Sequence, residues 1–515
     1  MHEMTERVRI EVYSHFVKVT GFDDTIKEAL LYYCASSLTQ YDLVRNGQRF
    51  ERNARAVYAA RRADNSEFRF HRNLLEQVVA TITNTGYPSE NIERVEQEVY
   101  APDTVDFQWI DKRTPRPDQR KIIDYGLAVC DPRFAPSKLI TANTGFGKTL
   151  CSMNIVHERG FRTAIVVKGA YVDKWATDVR ECFKLKDHHI RRVSGTPSLL
   201  KLIDEAREGK LTYQFIIFGN RTLGNFYKNY EQYGVCEETG NIAPEELFPL
   251  LGIGTKMVDE AHMEFHSVYR QDLYTHVPYT LSMSATIDGD DRFVNRMTEV
   301  VWPPITRSPP IDYKAFIEVK ALLYSLQHPD RIRCMNFMKQ YNHILFEQSI
   351  MRNQATYHRY LGMITDIVRT AFVDKMQHGQ KCIVFCSTVA LCTRLAEVLA
   401  GAFPALKVNR YCQEDPYSDL LQGEIVVSTV LSAGTAVDVP NLRVTIQTIA
   451  INSKQSNIQT LGRTRPLKDW PDVAPEFYFL SAREIERHMV YARAKEEKFR
   501  GLVVSFEVLE TPFKI

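Results

Sequence analysis

The sequence predicts an α/β protein, with two successive parallel-sheet units behind a smaller α/β unit at the N-terminus. Three observations predict it. The chain has 515 residues, and at roughly 100–200 residues per domain that suggests about three domains. Two series of short apolar runs are separated by helix-like stretches, as buried strands with helical crossovers require. A Pro-rich stretch around Pro303–Pro310 separates the two series, and Pro102, Pro115 and Pro117 separate the first series from what precedes it. The expected domains are residues 1–105, 106–310 and 311–515.

The elements follow in order. In residues 1–105, FVKVTG reads as a strand and DDTIKEALLYYCASSL as a helix. AVYAARRA and SEFRFH read as strands, and RNLLEQVVATITNTG as a helix ended by Gly86. The first apolar series is KLITA, TAIVVK, QFIIFG, TKMVDE and TLSMSA. The second is KCIVFC, EIVVST, RVTIQTIA and EFYFL. Residues 312–360 are mixed in character and are expected to hold strands completing the first sheet plus a helical linker.

Composition narrows the function classes. Hydrophobic residues make up 44% and charged residues 25%, which argues against disorder, collagen and coiled coil. No stretch reaches the ~18 apolar residues of a membrane span. The first residues, MHEMTERVRIEVYSHF, carry charge where a signal peptide has an apolar run, so a cytoplasmic location is expected. The 10 cysteines are scattered, and Cys382 and Cys386 sit in one apolar strand, CIVFC. Reduced, buried thiols are therefore expected rather than a zinc clip or a disulfide framework.

The net charge is +2, from 65 basic and 63 acidic residues, so any polyanion contact must come from local charge. Residues 45–72 hold eight arginines, among them Arg52, Arg55, Arg61 and Arg62, against three acids. Phe50, Tyr58, Phe68 and Phe70 are interleaved. Guanidinium forks suit phosphates and rings suit bases, so this segment is a candidate nucleic-acid contact; a solvated face is the alternative.

The strongest single motif is ANTGFGKT, Ala142–Thr149, between the apolar run LIT and the helix-like LCSMNIVHERG. It follows the phosphate-loop pattern, with Ala142 in place of the first Gly. Gly145 and Gly147, with Thr144 before them, let backbone N–H groups face phosphate oxygens. Lys148 reaches the β and γ phosphates, and the Thr149 hydroxyl ligates Mg²⁺. In TKMVDEAH an apolar run ends in Asp259, Glu260, Ala261 and His262. Asp259 would hold Mg²⁺ through water and Glu260 would orient the attacking water; acids at a helix N-terminus are the alternative. ATP and Mg²⁺ are the expected cofactors.

The phosphate loop, DEAH, Ser284-Ala285-Thr286 and Gln459-Thr460-Leu461-Gly462-Arg463, in this order, resemble superfamily 2 helicases over about residues 115–470. The resemblance implies two tandem RecA-like motor domains. It implies an adenine-reading role for Gln119 and nucleic-acid contacts from AIVVKGAYVDKW, which contains Lys168, and from FIIFGNRTL. IVVSTVLSAGTAVDVPNL, with Thr429 and Asp438, would touch both nucleic acid and nucleotide. Two departures stand out. Ala436 holds the place of a usual Gly before Asp438, and Pro466 stands where the second Arg of Q-x-x-G-R-x-x-R belongs. The arginine finger is therefore Arg463 or Arg465, with Arg465 favoured if Pro466 ends the helix and turns the chain inward.

The layout, with a small α/β unit ahead of two motor domains, is similar to the phage UvsW-type branch-migration helicases. Asp438 and Pro440-Asn441 also resemble an element of RecG-type fork-regression helicases. The resemblance implies an ATP-dependent helicase acting on branched DNA, with the Arg-rich segment engaging duplex arms. An RNA helicase, a duplex translocase that does not part strands and a non-catalytic nucleotide-binding module are the alternatives.

Overall fold

The structure is a computed structural model that describes residues 7–46, 49–142, 145–285, 287, 289, 291–311, 315–337, 339–412, 415–433 and 439–515. The chain divides into two compact units, Met1–Ile311 and Asp312–Ile515. Among the described residues no helix is long and apolar enough to cross a membrane.

The first unit begins with a small mixed sheet. Its strands are β1 (Arg9–Val12), β2 (Phe16–Thr20), β5 (Ala60–Arg61), β6 (Phe68–His71) and β7 (Glu93–Glu96), in the order β5-β6-β2-β1-β7. β2 runs antiparallel to β1 and β6, while β7 runs parallel to β1. The helix Asp24–Ser37 starts where the Asp23 carboxylate accepts the Ile26 N–H at 2.8 Å, an N-cap that satisfies one orphan donor. Residues 39–46 and 49–57 form a separate two-stranded ribbon that the apolar pattern did not reveal. In it β3 (Thr39–Asn46) pairs antiparallel with β4 (Arg49–Val57).

The second sheet of this unit contains β8 (Ser137–Thr141), β9 (Thr163–Val167), β10 (Ile190–Val193), β11 (Phe215–Gly219), β12 (Thr255–Val258) and β13 (Tyr279–Ser284). Their order is β10-β11-β9-β12-β13-β8, and every neighbouring pair is parallel. Helices cover both faces, so the strands are apolar almost throughout. Only the edge strand β10, with two arginines in IRRV, escaped the apolar pattern.

The second unit is built on a seven-stranded parallel sheet. Its strands are β14 (Glu318–Ser325), β15 (Lys381–Cys386), β16 (Val408–Tyr411), β17 (Ile425–Thr429), β18 (Leu442–Gln447), β19 (Glu476–Ala482) and β20 (Ser505–Lys514), in the order β16-β17-β15-β18-β19-β14-β20. The fold class expected from the sequence is thus the one observed: two tandem parallel-sheet domains of RecA-like type preceded by a small α/β sheet. The expectation for residues 312–360 needs correction. β14 does not complete the first sheet; it lies between β19 and β20, where Lys320 bridges to Glu476 across the pair.

The small sheet shares one apolar core with the large sheet behind it. Ile10, Val17, Phe68 and Phe70 belong to the same buried cluster as Phe226, Tyr227, Tyr269 and Tyr274. Charged groups cross this seam too. Arg69 is fully buried; it pairs with Glu67 at 2.5 Å and with Glu245 at 2.9 Å, donates to the Tyr230 hydroxyl at 3.1 Å and stacks on Tyr274. Burial works against the Glu245 charge, yet Arg69 and Lys18 hold its carboxyl below the usual range. Removing Arg69 leaves the buried Glu245 carboxylate with Lys18 alone, at 3.4 Å, and takes the guanidinium from Glu67. Arg69→Ala should therefore lower the unfolding free energy of the first unit by about 3–5 kcal/mol, read from denaturant unfolding. Adding Glu245→Gln should recover part of that loss, and equal midpoints for Arg69→Ala and wild type would contradict this account of the seam.

Candidate active site

β8, β13 and β12 are adjacent and parallel, with Thr141 opposite Ser284 and Val258 opposite Ser282. Their C-terminal ends therefore lie on one edge of the sheet. The phosphate-loop motif follows β8, the paired acids follow β12, and Ser284-Ala285 closes β13. This is the edge where open α/β sheets bind ligands.

Two glycines make the loop possible. Gly145 and Gly147 have φ of +88° and +97°, a region that side chains rarely occupy. Gly147 caps the helix Lys148–Arg159. A Cβ at Gly147 would lie 2.4 Å from the side-chain nitrogen of Gln119. Gln119 is buried on the helix Pro117–Leu127. Its amide donates to the Phe146 carbonyl at 2.7 Å and accepts the Arg116 N–H at 2.9 Å. Gln119 thus braces the loop backbone. Lys148 folds its ammonium onto the Ala142 carbonyl at 2.8 Å, and Thr149 sits partly exposed on the first helical turn. Thr144 lies outside the described residues.

Asp259 is held from two sides. The Trp175 indole N–H donates to its Oδ2 at 3.1 Å, and the Glu260 N–H donates to Oδ1 at 2.9 Å. Burial and the Glu260 charge push the Asp259 carboxyl up, opposed by Lys174, Lys148 and the Trp175 hydrogen bond. Glu260 has φ of +48°, an uncommon conformation for a residue with a side chain. The turn is fixed by Ala261 N–H donating to Met283 at 2.9 Å and Met263 N–H donating to Glu260 at 2.9 Å.

His262 closes the arrangement. Its Nδ1 is 2.7 Å from the Ser284 hydroxyl and 3.4 Å from Glu260 Oε2. Burial, helped by the Lys148 charge, pushes its imidazole down to about 4, so His262 is neutral at pH 7. Lys148 acts electrostatically on both Asp259 and His262, which ties the loop and the DEAH residues into one site. A small cleft beside them is lined by Lys168, Tyr171, Asn220, Asp259, Glu260 and Gln271. The oxygens of Thr149 and Asp259 are hard donors suited to Mg²⁺ with phosphate completing the shell.

The remaining candidates lie elsewhere. Thr429 ends β17, with its hydroxyl 2.8 Å from that of Ser432; Asp438 lies outside the described residues. Gln459 is on the helix Lys454–Leu461, which ends at Gly462. The expectation that Pro466 ends this helix is corrected: the helix stops before Arg463, and both arginines follow it. Arg463 is buried and Arg465 half-buried, and between them the Thr464 hydroxyl is 3.0 Å from that of Thr445.

Arg52, Arg55 and Arg61 are exposed. Arg55 lies 3.7 Å from Asp42, and Arg61 donates to Asn65 at 2.6 Å. Arg62 is differently engaged. It donates to the Tyr230 carbonyl at 2.7 Å and stacks on that ring, so it docks the small sheet instead of facing solvent as the candidate phosphate contacts do. Sequence reasoning missed the roles of Trp175 and of the His262–Ser284 contact. The buried face of the helix Val172–Cys182 was the only available signal for the first, and it does not name the partner.

No protein-family model matches the sequence, and comparison with curated proteins finds no match. Solved structures do show a general likeness. Mycobacterium smegmatis helicase Lhr bound to ssDNA and AMP-PNP is 16% identical, covering 77% of this chain and 49% of that one, with a TM-score of 0.46. This chain thus spans about half the length of Lhr. S. cerevisiae Dbp5 bound to RNA and ADP BeF3 is 10% identical, covering 78% and 91%, with a TM-score of 0.49. The Pyrococcus furiosus Hef helicase domain is 14% identical, covering 73% and 97%, with a TM-score of 0.43.

The Trp175–Asp259 contact sets a pH dependence. Only ionised Asp259 can ligate a cation, so cation binding, and any nucleoside-triphosphate hydrolysis that depends on it, should fall on the acid side as the carboxyl protonates. The indole N–H favours the ionised form, so Trp175→Phe raises the carboxyl further and moves the acid limb to higher pH. A hydrogen bond to a charged group contributes about 1.5–3 kcal/mol, equivalent to about 1–2 pH units. An unmoved acid limb of kcat in Trp175→Phe would contradict this role.

Proposed function

We propose that the chain is an ATP-dependent DNA helicase of the superfamily 2 type that remodels branched DNA. The observation that carries the reading is the meeting of Lys148, Asp259, Glu260 and the His262–Ser284 contact at one sheet edge. Phosphoryl transfer needs positioning and charge neutralisation more than covalent chemistry, and these residues supply both. Lys148 leaves the Ala142 carbonyl for the β and γ phosphates, and the backbone N–H groups around Gly145 and Gly147 cradle phosphate oxygens. Mg²⁺, when held by the Thr149 hydroxyl and the Asp259 carboxylate, supplies neutralisation of phosphate charge. Glu260 orients the water for in-line attack. His262, neutral and bonded to Ser284, links the strand end carrying the acids to the strand end carrying Ser284-Ala285. Arg463 or Arg465 supplies the cation that stabilises the transferring phosphoryl.

The choice of DNA is supported by the ribbon of β3 and β4. A two-stranded ribbon matches the major groove of B-DNA, whereas the deep, narrow major groove of A-form RNA excludes it. Arg52 and Arg55 are exposed on this ribbon, and Arg61 follows it. Guanidiniums there suit duplex arms at a junction. Lys168 in the first unit and Thr429, at the end of β17 in the second, are each candidate contacts to the nucleic-acid backbone. The cytoplasm is the location proposed for this activity.

Two tests separate the parts. Lys148→Ala should abolish ATP hydrolysis while DNA binding persists. Glu260→Gln should bind ATP normally, lose hydrolysis and stay on DNA, and near-normal turnover in Lys148→Ala would end the motor reading. For the ribbon, Arg52→Ala with Arg55→Ala should flatten the slope of log affinity against log salt by about 1.8, at about 0.9 per phosphate contact on duplex DNA. Arg62 is left intact because it docks the small sheet. An unchanged slope in a variant with unchanged melting would remove the ribbon from the DNA interface and leave the ATP site untouched.

A further inference from the structure

Two helices leave the candidate site, and the N-terminal residues touch both. The helix Phe265–Asp272 begins directly after the DEAH turn, and the helix Arg292–Val301 follows Ser284-Ala285. Tyr58, the first residue after β4 of the ribbon, is 2% exposed and stands between them. Its ring meets Phe265, His266 and Tyr269 of the first helix and Phe293 of the second, at centroid distances of 4.9–5.9 Å, the range of favourable ring pairs. Hydrogen bonds fix the same place. The Tyr58 N–H donates to the Leu38 carbonyl at 2.7 Å, and His266 Nε2 is 3.0 Å from the Val57 carbonyl. A carbonyl only accepts, so Nε2 carries the proton of that bond. On the other strand of the ribbon, the Gln40 amide donates to Asp291 at 2.5 Å, and Asp291 caps the second helix by accepting the Phe293 N–H at 2.8 Å.

The far end of the first helix is held as well. Asp272, its last residue, is buried and accepts from the Lys256 ammonium at 2.9 Å. Lys256 is on β12, the strand that leads into Asp259 and Glu260. His71, on β6 of the small sheet, lies 3.8 Å from the other Asp272 oxygen. Gln271, next to Asp272, lines the cleft that holds both acids. The helix therefore meets the N-terminal residues near its start and at its end, and the acids at its end. An isolated helix of eight residues is marginal, so its place is set by what packs on it. Glu260 hangs on a turn in an uncommon conformation, and groups that align an attacking water tolerate little displacement.

We propose that the N-terminal residues are a working part of the ATP site: Tyr58 is a positioning residue that holds the helix after DEAH, and with it Asp259 and Glu260, against the helix that follows Ser284-Ala285. The His262–Ser284 contact joins the two strand ends from within, and Tyr58 joins the helices behind them. The inference rests on the ATP-hydrolysis reading and deepens it: hydrolysis needs a residue that lies ahead of every ATP-site motif and gives no group to the nucleotide.

The test measures ATP hydrolysis by the full chain at saturating single-stranded DNA, expressed per site that binds a fluorescent non-hydrolysable ATP analogue, with melting followed in parallel. Tyr58→Leu keeps the position apolar and removes the ring. It should lower kcat by about tenfold to a hundredfold, the scale of a ~1 Å misplacement, with KM for ATP and affinity for the analogue near wild type. Tyr58→Phe keeps the ring and should retain wild-type kcat. His266→Phe also keeps a ring but cuts the bond to Val57; it should lower kcat by about twofold to tenfold, the scale of one neutral hydrogen bond, with KM unchanged. A merely structural Tyr58 would instead lower the melting temperature and the number of analogue-binding sites and leave kcat per site unchanged, and that result would overturn the proposal. Equal losses of kcat in Tyr58→Phe and Tyr58→Leu would overturn it too. Where Tyr58→Leu binds no analogue, His266→Phe decides by the same split of kcat from KM. A wild type that binds the analogue yet hydrolyses no ATP would overturn the ATP-hydrolysis reading and this inference together, whereas full hydrolysis in Tyr58→Leu would overturn the inference alone.

Discussion

The candidate site depends on the shared direction of β8, β13 and β12. Had any one of them run the other way, Lys148, Ser284 and Asp259 would sit at opposite edges of the sheet. Because the three are parallel and adjacent, their C-terminal ends deliver a phosphate loop, a hydroxyl and two carboxylates to one place. The positive φ of Glu260 belongs to the same constraint. A residue held in that region costs of order 1–3 kcal/mol, and it persists where the surroundings over-determine it. Here the bonds of Ala261 to β13 and of Met263 back to Glu260 do so.

The seam between the small sheet and the large one connects to this edge through a single helix. Tyr230, on Asn220–Tyr233, takes the hydroxyl bond of Arg69 and the carbonyl bond of Arg62. Asn220, at the other end of that helix, lines the cleft that holds Asp259 and Glu260. The small sheet and the carboxylates thus bear on one helix. The charge balance of residues 45–72 divides accordingly. Arg62, Arg69 and Arg72 are engaged inside the protein, and Arg52, Arg55 and Arg61 are exposed.

Much of this was legible from the chain because buried parallel strands are apolar on both faces. KLITA, TAIVVK, QFIIFG, TKMVDE and TLSMSA each stand out for that reason, and the phosphate loop and DEAH lie at the ends of two of them. The edge strands of mixed composition were not legible. IRRV at β10 and VNRY at β16 have one side free and a mixed composition, and the ribbon of β3 and β4 alternates too weakly to register. β14 was assigned to the wrong sheet because a strand's neighbours are a tertiary property. Within the site, Trp175 and Gln119 show the same limit: a buried indole and a lone glutamine say nothing of which acid or which carbonyl they reach. The end of the helix Lys454–Leu461 was misjudged because Pro466 was the visible breaker, while the helix already ends at Gly462.

The most direct measurement is the steady-state rate of ATP hydrolysis by the purified chain with a Holliday junction, a fork, linear duplex, single-stranded DNA or single-stranded RNA, each at equal nucleotide concentration. We expect hydrolysis stimulated by DNA, most by the branched forms, and little by RNA. A rate that no nucleic acid changes would contradict the claim that the Lys148–Asp259–Glu260 site drives a DNA motor.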